Sequence, residues 1–229
     1  MSKNKFIAYD NVFDQSTLRG LFKMSSQGYF EEIQGPIKIG KESNVFSVVC
    51  EDERRVVKIY RTAANFKKMH DFMKPDPRYA NVGGGIIAII SAWARKEFSN
   101  LLRARKSGVR VPTPYAYHKN IVCMEFIGDE MPAPTLQKCY PKDPAVFYKK
   151  LFHEMKMLYK AKLVHTDLSE YNILNYNDEP VLIDFSQAVD FRFPQVEYYL
   201  ERDVQNVVRF FNRLGMDLEW EEELKKLRG

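Results

Sequence analysis

The stretch HTDLSEYNIL at residues 165–174 gathers a histidine, two acids and an asparagine into ten positions and then turns apolar. Further on, a second apolar run ends in an acid, Asp184 of VLIDFS. The runs ILNY and PVLI, joined by Asn177, Asp178 and Glu179, predict a β-hairpin with a three-residue loop. With Tyr176 opposite Pro180, the register runs down to Asn172 opposite Asp184. Directly opposed residues in an antiparallel pair lie about 4.5–5.5 Å apart at Cα and project from the same face. An amide oxygen and a carboxylate are therefore expected side by side at the open end of the hairpin. Oxygen donors suit a hard cation such as Mg²⁺, which takes one or two protein oxygens and completes its shell with water and phosphate. Asp167, five residues before Asn172, falls on the loop entering the same mouth. A carboxylate there can orient a hydroxyl nucleophile beside a metal-bound phosphate and accept its proton. His165 is expected to brace the loop. Taken singly, each of these residues is as readily a cap or a solvated polar group; their convergence is what points to phosphoryl transfer.

Several elements must hold this constellation. NVFSVVCEDERRVVKIY, residues 44–60, shows two β-branched runs around a charged turn, a hairpin that places Lys58 in its second strand. Burying that charge among Val56, Val57 and Ile59 requires a partner. An irregular stretch with Pro75, Pro77 and Gly83 to Gly85 follows, then a helix predicted from about Ser91 to Lys106 and stopped by Gly108 and Pro112. Trp93, Glu97, Leu101 and Ala104 share one face of it. IVCMEFIG at 121–128 reads as a buried strand entering a glycine-marked connector, where the lobe boundary is expected. Beyond it, Phe147, Leu151, Met155 and Leu158, and again Val204, Val207, Val208 and Phe211, recur at helical spacing. The order is a β-rich first half and a mainly helical second half.

Composition narrows the class. The chain has 229 residues, 45% hydrophobic and 28% charged, well away from the low-hydrophobicity regime of disordered chains. Cys50, Cys123 and Cys139 have no C-x-x-C spacing, so neither a disulfide framework nor a zinc cluster is indicated. The longest apolar run, GGGIIAIISAWA at 83–94, is too short to span a membrane, and MSKNK is no signal peptide. No membrane association and a cytoplasmic location are expected. The net charge of +5, from 35 basic and 30 acidic residues, is spread over pairs such as Arg54-Arg55, Lys67-Lys68 and Lys149-Lys150, which read as solvated faces.

HTDLSEYN followed by LIDFS resembles the catalytic and metal-binding loops of the protein-kinase superfamily, H-R-D-L-x-x-x-N and then D-F-G, with Thr166 in place of the arginine and Ser186 in place of the glycine. The resemblance implies an α+β, two-lobed protein-kinase-like fold, with a β-rich N-lobe and a mainly helical C-lobe. It also implies that Lys58 of VVKIY contacts ATP phosphates and that Glu97 of WARKEFSNL is its helical ion-pair partner. GPIKIGKES at 35–43 nearly fits the nucleotide loop of a different fold, but Glu42 stands where a hydroxyl would ligate Mg²⁺, and the strand-like NVFSVV follows where a helix must open. The better reading is a strand–turn–strand flap whose Gly40, Lys41 and Ser43 lie over the phosphates. Met124 to Ile127 would form the connector against which adenine packs, using backbone groups of Glu125 and Ile127. Only about ten residues separate Asp184 from a helix expected near Pro194, and no A-P-E follows, so the activation segment is truncated.

From VFDQSTLRGLFKM at 12–24 through GKESNVF, VVKIY, WARKEFSNL, MEFIG, APTL at 133–136, HTDLSEYNIL and IDFSQAV to RDVQNVVRFF at 202–211, the chain is similar to RIO-type atypical protein kinases. It is most similar to the first, archaeal-like subfamily, which lacks the N-terminal winged helix of the second. The resemblance implies an ATP-dependent serine/threonine kinase or ATPase acting in small-ribosomal-subunit maturation. Asp167 would be catalytic, and Asn172 and Asp184 would hold Mg²⁺ or Mn²⁺. Asp184 would also be able to form an aspartyl-phosphate. The implied partners are pre-ribosomal RNA and proteins and a serine-bearing protein substrate, this chain included. Three segments are expected: an N-terminal helical extension over 1–34, an N-lobe over 35–127 and a C-lobe over 128–229. Residues 62–90 are read as a flexible loop or a packed helical insert. Two other functions stay open. One is a ribosome-assembly binding factor whose slow ATPase times its release. The other is a small-molecule kinase of the aminoglycoside or choline type, against which GKESNVF and APTL weigh.

Overall fold

The computed structural model describes residues 13–62 and 65–229. Residues 1–12 of the expected N-terminal extension, and residues 63 and 64 of the expected 62–90 loop, lie outside the described residues. Two units make up the chain.

The first unit takes in Met1–Lys74, Tyr79–Phe98 and Pro114–Phe126. Asp14 accepts the Thr17 amide at 2.8 Å and so starts α1 (Gln15–Ser26), the N-cap role that suits aspartate. Next come β1 (Glu32–Ile39), β2 (Ser43–Cys50), β3 (Glu53–Tyr60), α2 (Phe66–Met73), α3 (Ile86–Lys106), β4 (Pro114–His118) and β5 (Ile121–Glu125). The strands form one antiparallel sheet in the order β1-β2-β3-β5-β4. Strict alternation along β2 buries Asn44, Phe46, Val48 and Cys50, the pattern of a strand with one covered face. Phe46 and Val48 join Val57, Ile59, Ile121 and Cys123 in a core to which α1 adds Leu21 and Met24. The α3 helix starts at Ile86, not near Ser91. After Gly85 no breaker intervenes, and Ile89 and Ile90, both buried, draw the preceding turn into the helix, whose Ile89 amide bonds Gly85 O at 3.0 Å. The α2 helix buries Met69 and Met73.

Pro75–Arg78, Ser99–Thr113 and Ile127–Gly229 form the second unit. Asp143 caps α4 (Pro144–Lys160), accepting the Ala145 and Val146 amides at 2.9 and 3.0 Å, and proline at the first turn is pre-set for helix. The elements after it are β6 (Leu163–Val164), β7 (Ile173–Tyr176), β8 (Glu179–Leu182), β9 (Val189–Asp190), α5 (Val196–Arg213) and α6 (Trp220–Arg228). The two apolar stripes read from spacing are the buried faces of α4 and α5. The Tyr148 hydroxyl donates to Glu223 Oε2 at 2.6 Å and ties α6 to α4. The short β6 pairs with β9, and β7 with β8. Residues 185–195, with only β9 among them, separate Asp184 from α5. The architecture is the expected α+β arrangement of a β-sheet unit and a mainly helical one. Among the described residues no helix is long and apolar enough to cross a membrane.

The β7–β8 register departs from the one computed from the sequence. Tyr176 pairs with Glu179, Asn175 with Pro180, Leu174 with Val181 and Ile173 with Leu182. The turn therefore has two residues, not three. Asn177 and Asp178 sit at φ 56° and 60°, the left-handed pair of a tight hairpin turn that Asn and Asp tolerate. Asn175 Oδ1 accepts the Asp178 amide at 3.0 Å and fastens it. The one-residue slip sets Asn172 against Ile183, whose amide donates to Asn172 O at 3.0 Å, so the direct pairing of Asn172 with Asp184 is not formed.

Candidate active site

In the second unit, the residues on either side of Asp167 are pinned. His165 Nε2 lies 2.9 Å from Ile183 O, a contact that needs the ring proton on Nε2, and the ring stands edge-on to Phe185 at 4.8 Å. Thr166 takes φ 69°. Its amide and that of Leu168 donate to Asp203 at 2.8 and 2.9 Å. The guanidinium of Arg202 donates to Thr166 O. Support for the loop thus comes from α5, where the superfamily pattern would have an arginine at position 166. Burial pushes the Asp203 carboxyl up to about 7, against the lowering pull of its two backbone bonds and of Arg202.

Asp167 itself is exposed. Asn172 Nδ2 donates to Asp167 O at 2.9 Å and to Asp167 Oδ2 at 3.0 Å. The amide nitrogen is thereby spent on Asp167, and Oδ1 is what Asn172 can offer a cation. Asp184 lies just past the end of β8 at φ 62°, and its Oδ1 accepts from Ser186 Oγ at 2.8 Å. An amide oxygen and a carboxylate are the hard donors that Mg²⁺ takes, so the residues present fit that ion.

In the first unit, Lys58 on β3 and Glu97 on α3 are both buried and meet at 2.7 Å. The Tyr60 hydroxyl donates to the other Glu97 oxygen, and the Lys58 ammonium lies 5.2 Å from the Tyr60 ring centroid. Gly40, Lys41 and Ser43 fall at the β1–β2 turn, where the Gly40 amide donates to Ser43 O at 3.0 Å. Met124 and Glu125 end β5. Ile127 follows in the second unit, and its carbonyl is taken by the Ala133 amide at 2.9 Å.

Composition and motif spacing missed Asp203, Arg202 and Asn100. Asp203 had a signal: it falls on the apolar stripe of α5 with Leu200, Val204 and Val207, where an acid is out of place unless something uses it. Asn100, whose Nδ2 donates to Phe185 O and Ala188 O at 2.9 and 2.7 Å, had none, since carbonyls carry no mark in the sequence.

A five-stranded antiparallel sheet bearing a buried lysine–glutamate pair, and a helical unit bearing H-x-D-x-x-x-x-N and a following aspartate, define a protein-kinase-like molecule. Residues 44–224 match the family model described as RIO domain. The chain is 41% identical over 218 residues to the RIO-type serine/threonine-protein kinase Rio1 of Haloferax volcanii, covering 93% of this chain and 75% of that one. To the protein of the same name from Methanocaldococcus jannaschii it is 38% identical over 223 residues, covering 96% and 77%. Among solved structures, the Rio2 kinase–ADP/Mg²⁺–phosphoaspartate complex from Chaetomium thermophilum aligns with a TM-score of 0.71 at 26% identity. That alignment covers 91% of this chain and spans 65% of the Chaetomium one. The chain belongs to the RIO family of serine/threonine protein kinases, in its Rio1-like branch.

Proposed function

We propose that the protein transfers the γ-phosphoryl group of ATP to serine, its own included, and that it also hydrolyses ATP through a phosphoaspartate at Asp184. In the first reaction the serine oxygen bonds to the γ-phosphorus, its proton passes to Asp167, and ADP leaves. The observation that carries this reading is the hydrogen bond from Asn172 to Asp167 Oδ2 on a loop anchored by Asp203. It fixes the carboxylate and leaves Oδ1 to meet a hydroxyl. Lys58, held by Glu97, takes the role of phosphate contact, and Gly40, Lys41 and Ser43 that of the cover over the phosphates. Met124, Glu125 and Ile127 flank adenine. With its carbonyl engaged, Ile127 has its N–H to give to a base edge. Mg²⁺ or Mn²⁺, held by Asn172 and Asp184, would supply charge neutralisation on the phosphates.

The hydrolytic reading has its own support in the short 185–195 segment, which offers little chain on which to dock a substrate peptide. In this reaction an Asp184 oxygen attacks the γ-phosphorus, the bond to the β–γ bridging oxygen breaks, and ADP departs. Water then cleaves the acyl phosphate and regenerates the carboxylate. By family resemblance, either activity would serve small-ribosomal-subunit maturation, with pre-ribosomal RNA and proteins as the proposed partners. In that setting, slow hydrolysis would time the release of an assembly factor.

Incubation with γ-labelled ATP and Mg²⁺ distinguishes the two reactions. Label that resists hydroxylamine and is recovered as phosphoserine marks the first, whereas label that hydroxylamine releases marks the second. No covalent label and no ADP production would overturn both. RNA recovered with the protein from cell extract is expected to include small-subunit precursor, and its absence would remove the ribosomal setting alone.

A further inference from the structure

KPDPRY at 74–79 lies in the irregular stretch between α2 and α3, and the roles above leave it unused. Asp76 has no exposed surface. It accepts the Arg78 amide at 3.0 Å and grips the guanidinium with both oxygens, at 3.0 and 3.2 Å from Nε and 2.7 Å from Nη2. This fork aims Nη1 at Asn100 Oδ1, 2.8 Å away, while Nη2 also reaches Ala188 O at 3.3 Å. Asn100, likewise fully buried, spends its Nδ2 on the carbonyls of Phe185 and Ala188, at 2.9 and 2.7 Å. Those carbonyls belong to the turn that begins with Asp184.

A primary amide presents donors on one side and an acceptor on the other. Flipped, Asn100 would set its oxygen against two carbonyl oxygens and its NH₂ against a guanidinium. Arg78 at Oδ1 therefore fixes the orientation in which Asn100 can hold both carbonyls. Asp190, on the far side of the same turn, lies 3.8 Å from Arg78 Nε and carries Arg192 at 2.6 Å.

We propose that Arg78 is a positioning residue for Asp184, acting through Asn100 to set the divalent-cation affinity of the 184–188 turn. The inference rests on the reading of Asp184 as a metal ligand. Groups that orient metal ligands typically change affinity 10- to 100-fold when removed.

The test is calorimetric titration of the full chain with ADP across a Mg²⁺ series and in chelator. Arg78→Met should raise the Mg²⁺ midpoint about tenfold and leave the affinity in chelator unchanged. Arg192→Ala, which strips Asp190 of a partner without touching Asn100, should leave the midpoint where it is. Asp184→Asn should abolish the Mg²⁺ dependence. A folded Arg78→Met protein with the wild-type midpoint, beside an Asp184→Asn protein that has lost the dependence, overturns the role of Arg78 and spares the reading of Asp184. An equal rise in Arg192→Ala also overturns it, since the effect would then be general loosening. Wild-type Mg²⁺ dependence in Asp184→Asn removes the reading and the proposal together. Should Arg78→Met fail to fold, Arg78→Lys keeps the charge and one donor but loses the fork; an intermediate midpoint supports the role and an unchanged one overturns it.

Discussion

Asp167 is exposed between the buried Thr166 and Leu168, and that contrast suits the proposed base: a carboxylate able to meet substrate on an anchored backbone. Asp167→Ala is therefore expected to bind ATP with unchanged affinity and to lose turnover by about 10²- to 10⁴-fold, the usual share of a general base. Calorimetry and ADP release measured on the same sample check it, and a parallel loss of affinity would contradict the role. Asp203 makes a second prediction. Its folded pKa of about 7 lies above the ordinary carboxylate value of 3.8, because burial penalises the charge more than the two amides reward it. Between those values the native state keeps a proton that the unfolded chain has released, so this group's contribution to stability is whole below pH 4 and is lost as pH rises through about 7. Asp203→Asn cannot titrate, so the wild-type protein should lose stability relative to it between pH 4 and 7 in melts of the ligand-free protein. A constant difference across that window would show that Asp203 keeps an ordinary pKa. Asp167, Asn172 and Asp184 could be proposed from the sequence because their types and spacing belong to one chemistry. Asn100 was illegible because two of its partners are carbonyls, which every residue has, and the third, Arg78, stands in an irregular stretch with no periodicity to link them.

At the scale of elements, periodicity carried far and turn chemistry less far. The 44–60 hairpin and the stripes of α4 and α5 were legible because an apolar period of two or of 3.6 is imposed by burial itself. The β7–β8 register was not, because a two-residue and a three-residue loop read alike until Asn177 and Asp178 are seen to share the left-handed region, and a single slip reverses every face below the turn. What the slip removes is the ladder pairing of Asn172 with Asp184. Asn172 reaches Asp167 through its own side chain, and Asp184 belongs to the turn after β8 instead of a ladder position. The β1–β2 turn yields a prediction of its own. A Cβ on Gly40 would stand 2.8 Å from Ser43 O, a backbone atom that cannot swing aside, so Gly40→Ala must widen the turn. Should the widened turn close again over ATP at a cost of about 1 kcal/mol, affinity falls roughly fivefold. Nucleotide titration should find that loss with little change in the melting temperature, because the turn is exposed. Wild-type affinity in Gly40→Ala would mean that the turn does not cover the phosphates.

Across the whole molecule, the residues proposed to serve the nucleotide fall in both units: Lys58 and Glu97 in the sheet unit, and Asp167, Asn172 and Asp184 in the helical one. Neither set alone offers both a phosphate cation and metal-binding oxygens, although the 165–184 stretch by itself was enough to point to phosphoryl transfer. A ligand that binds only the folded chain stabilises it by RT ln(1 + [L]/Kd), about 2.7 kcal/mol at a hundredfold excess over Kd. In a chain of this size that is on the order of 5–10 °C in Tm. Mg²⁺-ADP at that excess should therefore raise the wild-type Tm by this amount. If nucleotide binding needs both sets, Lys58→Met and Asp184→Asn should each remove most of the rise. The comparison of shifts, variant by variant with and without Mg²⁺-ADP, separates loss of binding from any change in the unliganded melting point. A full rise in Lys58→Met beside none in Asp184→Asn would assign the nucleotide to the helical unit alone and leave the buried Lys58–Glu97 pair as a structural ion pair.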